Sequence, residues 1–128
     1  MSMANESDAM VVDFIETSRE ALDEVESGII KLEKDTGNVD ILNEIFRSVH
    51  SIKGTAGFLG FEKVVSLSHV GEELLNKLRK GELAINGEII DAILHANDGL
   101  RDLISSIADT GTEDGDIDDL VAEINALL

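Results

Sequence analysis

The chain contains no cysteine, proline, tryptophan or tyrosine, and only four phenylalanines in 128 residues. Without cysteine there is no disulfide, no thiolate metal site and no cysteine nucleophile. Without proline and with few aromatics a sandwich or barrel is disfavoured, because those folds draw on turn prolines and on aromatic packing across pleated surfaces. No run approaches the roughly 18 consecutive apolar residues of a membrane span, so no membrane insertion is expected. The start, Met1-Ser2-Met3-Ala4-Asn5-Glu6, lacks the basic residues and apolar stretch of a signal peptide, and a soluble, cytoplasmic protein is expected. Residues 1–6 read as disordered or artificial, and Met3 reads as a candidate native start. Basic side chains are also scarce: 10 Lys and Arg against 27 Asp and Glu give a net charge of −17. Nucleic-acid phosphates and anionic lipids would be repelled, so neither is expected as a partner. Most of the carboxylates read as solvated surface.

What is present is helical periodicity. Apolar residues are 43% of the chain, enough for one core at a length that fits a single domain. Loop signals at Asp35–Asn38, Gly57–Gly60, Lys80–Gly87 and Asp109–Gly115 leave five helical segments. They run roughly Ser7–Lys34, Val39–Ala56, Glu62–Lys80, Glu88–Ala108 and Asp116–Leu128. Ser7 or Asp8 can cap the first, and Gly57 is the natural end of the second. Short connections favour antiparallel neighbours. The expected fold is all-α: an up-and-down four-helix bundle with an additional C-terminal helix, monomeric on its own.

One segment breaks the local rules. In the second helix the core stripe is Ile41, Leu42, Ile45, Val49, Ile52 and Ala56. His50 falls beside that stripe, at least partly exposed, with Lys53 at i+3 and Gly54 at i+4 on its flank. A glycine inside a helix costs about 1 kcal/mol relative to alanine. Taken alone, Gly54 reads as a close helix contact or as fraying. Beside a histidine and a lysine it reads as an opening through which another group can approach.

The third helix adds to this flank. If the second and third helices form a tight antiparallel hairpin, His50 and His69 lie equidistant from the turn, and Glu72 follows His69 at i+3. A surface cluster of His50, His69, Glu72 and Lys53 is therefore expected. It suits nucleophilic chemistry. One imidazole nitrogen attacks, a carboxylate on the other fixes the tautomer, and a nearby ammonium offsets the charge of an incoming phosphoryl group. His95, on the fourth helix, has no such company and reads as structural or merely solvated.

The run Phe46-Arg47-Ser48-Val49-His50-Ser51-Ile52-Lys53-Gly54-Thr55-Ala56-Gly57-Phe58-Leu59-Gly60-Phe61 resembles the phosphorylation-site segment of histidine phosphotransfer (HPt) domains. The continuation Leu67-Ser68-His69-Val70-Gly71-Glu72-Glu73-Leu74-Leu75, then Leu78-Arg79-Lys80-Gly81, is similar to the N-terminal HPt domain of CheA-type chemotaxis histidine kinases, as is Ile93-Leu94-His95-Ala96-Asn97-Asp98-Gly99-Leu100, and the similarity covers roughly Asp8 to Leu128. The resemblance implies that His50 accepts the phosphoryl group, that Lys53 lies beside it, and that Gly54 keeps the site open. It implies that Glu72 and His69 are the hydrogen-bonding pair that tunes the nucleophile. It further implies a CheA-type kinase catalytic domain as donor and CheY- or CheB-type response regulators as acceptors. Phe46, Arg47 and Phe58 would form a docking surface. ATP and Mg²⁺ would act in the partner domains, with no cofactor bound here, and the chain would not phosphorylate itself from ATP alone. Gly71 departs from the family pattern, where a larger residue is common, and is expected to loosen the third helix.

Other chemistries fit less well. The residues three before His50, His69 and His95 are Arg47, Ser66 and Ala92, so the Glu-x-x-His pairs of di-metal bundles are missing. The Gly54/Gly57/Gly60 run has no preceding strand, as a phosphate loop requires. An EF-hand frame centred on Gly115 starts at Thr110 and ends at Val121, which cannot ligate calcium. A non-catalytic interaction bundle, with His50 irrelevant, is the remaining alternative.

Overall fold

The structure, a computed structural model, describes residues 3–128. Five helices follow one another: α1 (Met3–Lys34), α2 (Val39–Leu59), α3 (Glu62–Arg79), α4 (Gly87–Thr110) and α5 (Asp118–Asn125). Among the described residues, α1 packs on α2 and α4, and α3 packs on α2 and α4, which closes a four-helix ring. The short α5 lies across α3 and α4. The expected up-and-down bundle with an appended helix is the observed fold. No helix among the described residues is long and apolar enough to cross a membrane.

The apolar stripes meet in one core. From α1 come Phe14, Leu22, Val25, Ile29 and Leu32; from α2, Leu42, Ile45, Val49, Ile52 and Ala56. From α3 come Val64, Leu67, Leu74 and Leu78, and from α4, Ile93, Leu100, Leu103, Ile104 and Ile107. Burying each large aliphatic side chain contributes about 1.5–3 kcal/mol, and this drives the assembly of helices that carry few strong caps. Gly28 shows how a glycine serves such packing. A Cβ there would stand 2.7 Å from Ile45 Cγ1, so α1 and α2 approach at this point because nothing projects between them.

Several boundaries differ from the expected ones. The first helix starts at Met3, so Ser7 and Asp8 lie within it and not at its start. Met1 and Ser2 of the stretch read as disordered lie outside the described residues, and Met3–Glu6 form the first turn of α1. The second helix does not stop at Gly57 but runs on to Leu59, and Gly60 closes it with φ of 84°. Gly60 N–H donates to the Gly57 carbonyl at 3.4 Å and Phe61 N–H to the Ala56 carbonyl at 2.9 Å. These are the two bonds of a Schellman stop, which needs a left-handed residue where glycine is least strained. Phe61 then stacks on Phe14 of α1, with centroids 5.5 Å apart, and pins the bend to the core. Gly71 does not loosen α3, which is continuous from Glu62 to Arg79.

Two helix starts are capped by asparagine. Asn38 accepts from Ile41 N–H at 3.2 Å, and Asn86 from Ile89 N–H at 2.9 Å. The start of α3 is capped from a distance: the Glu113 carboxylate accepts from Lys63 N–H at 3.2 Å and Val64 N–H at 2.8 Å. Lys63 Nζ in turn donates to the Glu113 carbonyl at 3.0 Å and to the Gly115 carbonyl. The acidic loop weighed above as a calcium frame therefore holds the N-terminus of α3. Beyond it, α5 docks through buried Ile117 and Ile124 and through Leu120, which occupies the space that a side chain at Gly99 would need. His95 of α4 joins this dock, its Nδ1 hydrogen-bonded to both Glu123 oxygens at 2.9 Å.

Two outcomes are expected. Gly28→Ala forces Ile45 aside and overpacks the α1–α2 seam, an effect of about 1–3 kcal/mol that the better helix propensity only partly offsets. Gly54→Ala meets nothing within 4 Å, so it should stabilise the fold by about 0.5–1 kcal/mol. Urea unfolding of both variants checks the opposite signs. The Glu123 hydrogen bond, helped by the charges of Glu123, Asp91 and Asp98 against a small desolvation penalty, raises the His95 pKa above its ordinary 6.5. A raised folded-state pKa means that this contact stabilises the fold fully below the unfolded value and ceases to do so as pH rises through the folded value. Hydrogen exchange of α5 amides, corrected for intrinsic rates, should therefore show protection that is full below pH 6.5 and falls as pH rises above it, and His95→Gln should abolish that dependence.

Candidate functional site

His50 lies on α2 with its side chain 64% exposed, as its position beside the core stripe requires. Glu72 lies on α3 with its side chain only 8% exposed, in the seam between the two helices. The Schellman turn sets their relative height. The two Glu72 oxygens are both committed: Oε1 to His50 Nδ1 and Oε2 to Lys53 Nζ. A carboxylate can only accept, so Nδ1 carries the proton and donates to Oε1, while Lys53 donates to Oε2. In the neutral ring, Nε2 then keeps its lone pair and sits on the opposite side of the imidazole from Glu72. One buried carboxylate thus fixes the tautomer of an exposed histidine and holds an ammonium, itself 25% exposed, next to it.

Gly54 is exposed, and a Cβ there would meet nothing within 4 Å. That excludes the close-contact reading, for which Gly28 is the true example. The helix continues five residues beyond it, which excludes fraying. What remains is open space one turn above His50. Below the ring lies Phe46, half-buried and nearly parallel to the imidazole at 8°, with centroids 6.0 Å apart. The histidine is therefore walled on one side and open on the other.

His69 does not join this arrangement. Its Nε2 pairs with Glu73 Oε1 at 2.7 Å, one turn along the same helix, and both side chains are about half exposed. The expected pairing of His69 with the nucleophile is corrected accordingly: its hydrogen bond goes to Glu73, which lies on the same face of its own helix at i+4. His69 instead lines a shallow depression with Phe46, Glu72, Glu73 and Asn76. Of the expected docking residues, Phe58 is the most exposed large apolar side chain among the described residues, at 76%, and Arg47 is exposed with Nε donating to the Asn43 carbonyl at 3.3 Å. Phe46 is not a free apolar surface, because Arg79 covers it with its guanidinium carbon 3.9 Å from the ring centroid. Arg79 lies in the stretch that resembles the family, but the sequence assigns no role at the site to it or to its partners Asn43 and Asn76; an arginine ending a helix reads as a dipole-matched surface residue.

His95 is an internal control. It has an exposed ring with Nδ1 held by a carboxylate from another helix, as His50 has. The charges that act on it are those of Glu123, Asp91 and Asp98, and a phosphoryl dianion would be repelled there. The arrangement at His50 differs by its lysine and its gap.

A family model for the Hpt domain matches residues 9–110. The chain is 36% identical over 115 residues to the chemotaxis protein CheA of Listeria monocytogenes, covering 90% of this chain and 19% of that protein. To CheA of Halobacterium salinarum it is 32% identical over 115 residues, covering 90% of this chain and 17% of that protein. The chain thus spans less than a fifth of the length of these curated relatives. Among solved structures, it superposes with a TM-score of 0.84 on the phosphorylated P1 domain of CheA3 in complex with CheY6 from R. sphaeroides, at 25% identity, covering 93% of this chain and 94% of that one. On the CheA phosphotransferase domain of Thermotoga maritima the TM-score is 0.74 at 30% identity, covering 77% and 93%. An exposed histidine backed by a buried carboxylate, on a helical bundle matched in sequence over most of its length, leaves one conclusion: the chain belongs to the Hpt domain family and resembles the phosphotransfer domains of CheA.

Proposed function

We propose that this domain carries a phosphoryl group on Nε2 of His50 in a cytoplasmic chemotaxis pathway. The group comes from ATP through a CheA-type kinase domain and goes to an aspartate of a CheY- or CheB-type response regulator. The observation that carries this reading is the Glu72 carboxylate holding both His50 Nδ1 and Lys53 Nζ behind an exposed ring.

In the first step the Nε2 lone pair forms a bond to the γ-phosphorus, and the bond from that phosphorus to the bridging oxygen breaks, with its electrons leaving on ADP. The proton on Nδ1 stays in the hydrogen bond to Glu72. The ring becomes cationic as it bonds to phosphorus, and the carboxylate stabilises that charge. Lys53 offsets the charge of the arriving oxygens; positioning and electrostatics supply most of the acceleration in such transfers. In the second step an aspartate oxygen attacks phosphorus, the N–P bond breaks, and its electrons return to Nε2. ATP and Mg²⁺ belong to the donor, and the aspartate, with its own metal, to the acceptor. Phe58 and Arg47 are the exposed groups placed to meet either partner. The net charge of −17 deters acidic proteins from non-productive encounters.

Incubation with an active CheA kinase core, ATP and Mg²⁺ should place one acid-labile phosphoryl group on the domain, and His50→Gln should take none. An unlabelled wild type would favour a non-catalytic interaction bundle. Lys53→Ala should slow labelling about tenfold or more while leaving the helical signal unchanged. Glu72→Ala should slow it about tenfold or more; an unchanged rate would remove the carboxylate's role and leave the relay standing. Gly54→Leu should lower the rate without lowering stability, because its side chain enters the gap above His50 and touches no core.

A further inference from the structure

A hydrogen bond to Nδ1 fixes one atom of the His50 ring but leaves the ring free to swing about that atom. The second constraint comes from Phe46, at i−4 on α2, whose plane lies 8° from that of the imidazole. Phe46 is held in turn by Arg79 at the end of α3, whose guanidinium carbon lies 3.9 Å from the phenyl centroid.

Arg79 is unusual in this molecule. In a chain with 27 acidic side chains, it forms no ion pair among the described residues. Its guanidinium donates to two neutral amides, Asn43 Oδ1 at 3.3 Å and Asn76 Oδ1 at 3.0 Å, one on each helix of the hairpin. Its Nε is buried without a partner. Leaving a buried donor unsatisfied costs about 1–3 kcal/mol, and a cation over a phenyl ring returns about 0.5–2 kcal/mol. The placement commits the planar group to Phe46 and to one amide on each helix of the hairpin, so that the phenyl ring is held by both helices.

We propose that Phe46 and Arg79 are positioning residues for His50: Arg79 clamps the phenyl ring, and the phenyl ring sets the plane of the imidazole, so that Nε2 points into the gap beside Gly54. This rests on His50 being the phosphoryl acceptor, and it moves Phe46 from the docking surface to the site's own framework. A guanidinium is required, because only a planar cation both stacks on a ring and forks to two amides.

The test uses the intact chain with a CheA kinase core, ATP and Mg²⁺, together with ¹⁵N NMR of the His50 ring. Arg79→Met keeps bulk over Phe46 but removes the fork and the charge. It should lower the kcat of labelling about tenfold with KM for the kinase core unchanged, since misplacing a reacting atom acts on the chemical step. Its His50 should show a smaller fraction of the Nδ1–H tautomer. Phe46→Leu should behave alike, and Phe46→Tyr, which keeps the ring, should match wild type. Wild-type kcat and tautomer in Arg79→Met would overturn the inference, as would a change confined to KM, which would return Phe46 to docking. If the wild type takes no label on His50, the phosphotransfer reading fails instead. The NMR comparison still decides whether Arg79 orders the ring.

Discussion

The site depends on one carboxylate. Glu72 is buried in the α2–α3 seam, where an unpaired charge would cost several kcal/mol, and both of its oxygens are satisfied by groups on the opposite helix. The lysine neutralises it and the imidazole completes its hydrogen bonds. Burial makes the arrangement directional. Glu72 cannot turn toward water without unpacking the seam, so the groups it holds are fixed in turn. Two surface side chains thereby acquire the definition of core residues. An exposed His–Glu pair such as His69–Glu73 has no such leverage, because each partner can exchange the other for solvent.

Much of this was legible in the sequence, and for a physical reason. Helical periodicity places Val49, Ile52 and Ala56 inward, which leaves His50 and Lys53 on a flank whatever the rest of the chain does. An unfavourable interior glycine beside them marks a position where shape outweighs propensity. Counting outward from a short turn then brings His69 to the level of His50 and puts Glu72 one helical turn farther along the same helix. What the sequence did not yield were choices between nearby alternatives. His69 has Glu72 at i+3 and Glu73 at i+4 on its own helix, and spacing does not rank them. Gly57 and Gly60 can both end a helix, and the outcome depended on Phe61 finding Phe14, a contact far apart in the chain. Glu113 caps a helix that begins fifty residues earlier, and Arg79 covers a ring on another helix, so neither leaves a local signature.

The two glycines inside α1 and α2 make the same point from opposite directions. Gly28 and Gly54 are alike as letters in a helical register. One is filled by Ile45 and brings two helices together; the other faces nothing and keeps an approach clear. Only the neighbours separate a packing glycine from an access glycine, although the company of a histidine and a lysine already favoured the second reading for Gly54.

The bend between α2 and α3 has a consequence at the other end of the hairpin. A helix advances by about 100° for each residue, so the rotational phase of α3 against α2 is set where the chain reverses. Gly60 and Phe61 act as an indexing pin there, and Glu72 is the tooth that must mesh with His50. One extra residue at the bend would swing that tooth toward solvent or into the core while leaving helix content nearly untouched. The chemistry is thus keyed to a reversal that contains none of the reacting groups.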